Sequence, residues 1–177
     1  MLSAEEQTFL DNLPPDVADR PVNIQKFSPK VIPVAGLLIS EIKNLLPDSG
    51  ILHLGASALC IAGQNDIDLY LLAKAYEFPK YLPVLSQLYG EPVSNSSGSV
   101  AWKFVRNDFP VELYLTDPDT PSMQNQLKVF EILKTHPAKL REYEQLKISL
   151  NGATFREYQT QKYEFYHRLL SDPLIKM

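Results

Sequence analysis

Apolar positions change their period several times along the chain, and each change marks an element. Ser3 with Glu6 three residues on forms a capping-box pattern and predicts a short helix, which Leu13-Pro14-Pro15 ends. Residues 14–28 carry no period and predict an irregular arm. From Pro29 to Leu46, the positions Val34, Leu37, Leu38, Ile42, Leu45 and Leu46 recur at helical spacing, and Pro47-Asp48-Ser49-Gly50 stops that helix. Ile51-Leu52-His53-Leu54 predicts a short strand. A small-residue stretch follows, then Ile67–Leu72, whose mostly apolar run suits an interior strand.

Lys80 to Tyr89 reads as a helix closed by Gly90, with Pro83 near its first turn. Ser94-Asn95-Ser96-Ser97-Gly98 is turn chemistry. Val100–Val105 and Val111–Leu115 alternate as strands around Arg106-Asn107-Asp108, which predicts an antiparallel hairpin. Three helices finish the chain, at Pro121–Thr135, Pro137–Leu150 and Thr154–Leu170. The order predicts an α+β fold: a small mixed sheet with helices packed on it, and a helical C-terminal part from about residue 121. The expected division is an arm over 1–28 and a single domain over 29–177.

Composition narrows the class. The chain has 177 residues, 45% hydrophobic and 21% charged, which excludes disorder, collagen and a whole-chain coiled coil. A net charge of −4 leaves no electrostatic footprint for duplex nucleic acid. Cys60 is the single cysteine, so no disulfide forms within the chain, and a reducing compartment is expected. The acidic start, Met1-Leu2-Ser3-Ala4-Glu5-Glu6, lacks the basic head of a secretory signal. No apolar run reaches the length of a membrane span. The expectation is a soluble cytoplasmic protein with no membrane partner. Cys60 reads as a buried thiol, His53 and Trp102 as core, His136 as a helix-end residue and His167 as a surface one.

Candidate chemistry concentrates between Gly55 and Leu69. Side chains two apart on a strand point the same way, so Asp66 and Asp68 share a face and Ile67 takes the other. Two adjacent carboxylates stay ionised most easily beside a cation, and oxygen donors of this kind suit Mg²⁺ together with substrate phosphates. Glu112 sits between Val111 and Leu113 on a later strand and supplies a third acid if that strand lies beside the first. Gly55 lets backbone approach phosphate closely, and Ser57 can donate a hydrogen bond to it. Tyr143 with Lys147, and Tyr158 with Lys162, are each four apart on a helix and share a face. They either neutralise and flank a triphosphate or form a solvated face with snorkelling stems.

Leu54-Gly55-Ala56-Ser57, Asp66-Ile67-Asp68-Leu69 and Val111-Glu112-Leu113 together resemble the nucleotidyltransferase superfamily signature. Within it, the chain is similar to the GrpB (UPF0157) family. The run from His136-Pro137 through Arg141-Glu142-Tyr143 to Leu146-Lys147, and then Tyr158 to Lys162, matches that family's tail. The loop from Gly55 to Asn65 departs from the family pattern, with Gln64 or Asn65 near where a lysine would fall. The first acid, Asp66, and the stretch Val111-Glu112-Leu113-Tyr114 also depart from it, toward the general metal-dependent pattern. The resemblance implies an enzyme that uses Mg²⁺ (or Mn²⁺) to move a nucleoside monophosphate from a nucleoside triphosphate to an acceptor hydroxyl of unknown identity. Asp66, Asp68 and Glu112 would be the metal-binding and catalytic acids. Gly55, Ser57, Lys147, Lys162, Tyr143 and Tyr158 would contact nucleotide. A non-catalytic nucleotide- or partner-binding module on the same fold is the rival reading.

Overall fold

A computed structural model describes residues 2–175. The chain forms two compact units, one comprising Met1–Lys26, Ala62–Gln64 and Leu127–Met177, the other Phe27–Ile61 and Asn65–Gln126. The sheet and the acids lie in the second unit.

That unit opens with α3 (Val31–Leu45), which follows α1 (Ala4–Asp11) and α2 (Pro15–Ala18) of the first unit. Val31, Val34, Ala35, Leu38 and Ile42 form the buried stripe of α3. Leu37 and Leu45, expected on that stripe from their spacing, are instead exposed at 64% and 54%. The sheet has five strands in the order β1-β2-β5-β4-β3, namely β1 (Gly50–Leu54), β2 (Ile67–Leu72), β3 (Ser94–Asn95), β4 (Ser99–Arg106) and β5 (Phe109–Thr116). Only β2 and β5 are parallel neighbours; the other pairs are antiparallel, so the sheet is mixed. Strand alternation sorts the faces. Ile67, Leu69 and Leu71 on β2, with Val111, Leu113 and Leu115 on β5, are buried in one core with the α3 stripe. Trp102 joins that core, and its indole N–H donates to the Gly90 carbonyl at 2.9 Å. A one-turn helix, α4 (Gly55–Ala58), stands where small residues alone gave no period, and α5 (Phe78–Tyr89) follows the second strand.

In the first unit, the capping box of Ser3 and Glu6 forms as the spacing predicts, and Thr154 with Glu157 forms another at the start of α8 (Phe155–Leu170). The chain passes between the units within α6 (Pro121–Thr135), and α7 (Pro137–Ser149) leads to α8. Part of the expected arm is ordered: Pro15–Ala18 makes the single turn α2, and Pro21 bridges Thr154 in antiparallel fashion. Both α1 and α2 contact α8. His167 is not simply a surface residue, since its Nε2 lies 2.7 Å from the Glu6 carboxylate. Among the described residues, no helix is long and apolar enough to cross a membrane.

Candidate active site

The parallel pairing of β2 and β5 places Asp68 opposite Glu112, and the antiparallel pairing of β4 and β5 places Lys103 opposite Glu112. A row of three charged residues therefore crosses the non-core face of the sheet. Adjacent strands lie about 4.8 Å apart, so successive members of the row are near neighbours. Asp66 comes one residue before β2, just after Asn65, whose backbone has a positive φ of 62°.

Gly55 closes over Asp68. Its φ is +77°, a region L residues rarely adopt, and a Cβ there would overlap the Asp68 carboxylate, with Cγ at 3.0 Å. The Gly55 turn and Asp68 are thus brought together as the sequence suggests. Ser57 is turned elsewhere. It is buried on α4, and its Oγ lies 2.9 Å from Nε2 of His53. His53 pairs with Leu69, on the face opposite Asp68. Burial holds the His53 imidazole down to a pKa of about 4, so it is neutral at pH 7.

Glu112 is held at both oxygens. Oε1 lies 2.6 Å from the Lys103 ammonium, and Oε2 accepts the Tyr114 hydroxyl. Burial first, then neighbouring Tyr70 and Glu112, keep that phenol protonated well above its usual range. The Tyr114 ring stacks on Tyr70 at 4.8 Å, and Gln126 donates to the Tyr70 hydroxyl at 2.7 Å. Spacing alone gave Lys103, Tyr114 and Gln126 no place beside the acids. A usable signal existed for the first two. Asn107 and Asp108, with φ of 50° and 67°, make a two-residue hairpin loop. Such a loop fixes the register: three residues back from Arg106 and three forward from Phe109 meet as Lys103 and Glu112.

Asp and Glu oxygens are the donor type that Mg²⁺ takes, and it needs only one or two of them when phosphate supplies the rest. Asp68 beside Glu112 fits that requirement. Among the described residues, no three His, Cys, Asp or Glu side chains are arranged to hold a metal ion by themselves.

The helical tyrosines and lysines lie in the first unit. Lys147 is not on a solvated face: it is only 6% exposed, it donates to the Tyr158 hydroxyl, and its ammonium sits 5.2 Å and 5.0 Å from the Tyr143 and Tyr158 ring centres. Tyr143 stacks on Phe165 and shares a hydrogen bond of 3.1 Å with Tyr166. Lys162 is half-buried, 5.7 Å from the Tyr166 ring centre. Cys60, expected to be buried, is exposed; it lies in the turn that ends α4, with a positive φ of 57°.

Fold and site together define an α+β protein that presents an acidic row on a mixed sheet beside a glycine turn. Residues 21–172 match the family model described as GrpB protein, and the chain belongs to the GrpB family. A UPF0157 protein of Vibrio cholerae is 29% identical over 144 residues, which is 73% of this chain and 70% of that protein. The crystal structure of GrpB from Enterococcus faecalis shares the fold, with a TM-score of 0.67 over 83% of this chain and 96% of that one, at 14% identity. The RNA terminal uridylyl transferase Cid1 overlaps 67% of this chain and 40% of its own, at 15% identity and a TM-score of 0.43, too loosely to carry a functional conclusion.

Proposed function

We propose that the protein is a metal-dependent nucleotidyltransferase that moves a nucleoside monophosphate from a nucleoside triphosphate to an acceptor hydroxyl. The observation that carries this reading is the contact of the Gly55 turn with Asp68, which has Glu112 as its register neighbour. That turn offers backbone to a phosphate at the point where the chain also offers carboxylates. Asp68 and Asp66 would hold Mg²⁺ or Mn²⁺, with Glu112 as the third acid. When bound, the cation would supply neutralisation of the triphosphate and activation of an attacking hydroxyl.

The residues' own part is positioning. Gly55 confines the Asp68 carboxylate, and Tyr114 confines that of Glu112. Held carboxylates need little reorganisation during reaction, which is where such sites derive their rate. The acceptor is a small molecule, a protein or an RNA end. A cytoplasmic location accords with the single exposed thiol.

The rival reading, a nucleotide-binding module without transfer, is favoured by one observation: both oxygens of Glu112 already have partners. Binding and transfer are tested in sequence. Nucleoside triphosphate is expected to raise the melting temperature only with Mg²⁺ or Mn²⁺, and Asp68→Asn to remove that rise. Equal binding without metal overturns the site. Metal-dependent binding with no pyrophosphate release across protein, RNA and small-molecule acceptors selects the binding module.

A further inference from the structure

Lys103 stands at the end of the charged row, directly opposite Glu112, and its ammonium is 2.6 Å from Oε1. The two partners are unequally free. The Lys103 side chain is 57% exposed and that of Glu112 28%. Tyr114 holds the second oxygen of Glu112, and Tyr114 is itself packed on Tyr70. The carboxylate is therefore the fixed member of the pair. The ammonium, on a flexible four-carbon stem, is the movable one. A half-exposed ion pair is weak enough to open. No sequence or family feature described above assigns a role to Lys103.

We propose that Lys103 is a built-in counter-cation of the acidic row, competing with a divalent cation for Glu112. Without metal, the ammonium neutralises Glu112 and so limits its repulsion with neighbouring Asp68. For a divalent cation bringing phosphate to be held by Glu112, the Lys103 ammonium would leave Oε1. Tyr114 stays in place and keeps the carboxylate aimed. Lys103 then sets how tightly metal binds, and metal without nucleotide is held weakly. This inference rests on the metal-dependent reading of the acids.

The test is a calorimetric titration of Mn²⁺ into the full chain without nucleotide. It uses the wild type, Lys103→Met, Lys103→Gln, Glu112→Gln and the Lys103→Met/Glu112→Gln pair, with a melting curve for each. Lys103→Met is expected to tighten Mn²⁺ binding by up to about fivefold, the scale of releasing a half-exposed ion pair. Lys103→Gln, which keeps polarity without charge, is expected to do the same, and it replaces Lys103→Met if that variant folds poorly. In the Glu112→Gln background the gain is expected to vanish. A gain that persists there is a long-range charge effect and overturns the competition. Wild-type binding that neither lysine variant tightens overturns it too, and leaves the metal site standing. Absence of Mn²⁺ binding from every variant overturns this inference; if triphosphate also gives no metal-dependent shift, the metal-dependent reading falls with it.

Discussion

Gly55 and Asp68 occupy one another's space so closely that no side chain fits between them: a Cβ on residue 55 would overlap the Asp68 carboxylate, and the backbone there has a φ of +77°. Two costs follow for Gly55→Ala. The positive φ costs about 1–2 kcal/mol for any L side chain. The methyl group also drives the carboxylate out of its position. The variant is expected to melt lower and to lose metal-dependent triphosphate binding. Adding Asp68→Ala removes the overlap but leaves the φ strain, so the double variant is expected to recover part of the stability and none of the binding. Strictly additive losses in a double-mutant cycle would show that the two residues do not touch.

His53 gives a pH prediction. Burial lowers its pKa from 6.5 to about 4. Between those values the unfolded chain binds a proton that the folded chain refuses. Its contribution to stability is therefore complete above about pH 6.5 and is lost as pH falls toward about 4. With partial exposure discounted, the loss is on the order of 1–2 kcal/mol. His53→Asn keeps a hydrogen-bonding group near Ser57 but cannot titrate. Urea unfolding at pH 7 and pH 4.5 is expected to show a smaller decline for this variant than for the wild type. Identical declines would place the acid sensitivity elsewhere.

Cys60 is exposed, so native protein is expected to react with a thiol reagent such as dithionitrobenzoate without prior unfolding. Reaction seen only in denaturant would mean the thiol is covered in solution.

Much of the architecture was legible because it rests on local signals. The hairpin strands around Asn107-Asp108 alternate cleanly, and the helices after Pro121 start and stop at proline, glycine and capping residues. What escaped has a physical reason in each case. Pro15–Ala18 is one turn, too short to show a period. Ser94–Asn95 pairs with β4 through backbone groups, although its side chains are those of a turn. Leu37 and Leu45 share the spacing of the α3 stripe, but periodicity does not say how wide a stripe the sheet covers. In the candidate site, Asp68 and Gly55 were legible from sequence order. The partners of Glu112 were not, because Lys103 arrives through hairpin register rather than through any motif.

Lys147 is where helical spacing alone misled. A Tyr-x3-Lys pattern fixes a shared helix face and leaves open whether another helix covers it. Here α8 brings Tyr158 against Lys147, whose ammonium donates to the Tyr158 hydroxyl and lies near two aromatic ring centres. A buried ammonium is costly without such partners, and a charge-assisted bond plus ring contacts offset that cost. Lys147→Ala is expected to destabilise the protein by about 2–4 kcal/mol, the scale of losing a buried charged hydrogen bond together with its packed stem. Tyr158→Phe removes the acceptor while leaving the charge buried, so it is expected to cost about 1–3 kcal/mol. The double variant should cost less than the sum, since each change removes the same interaction. Half-buried Lys162 serves as the contrast: Lys162→Ala is expected to change stability by no more than about 0.5–1 kcal/mol. Urea midpoints for the four variants decide the matter. Equally small losses at Lys147 and Lys162 would return Lys147 to the solvated face, and the buried cation between the last two helices would be discarded.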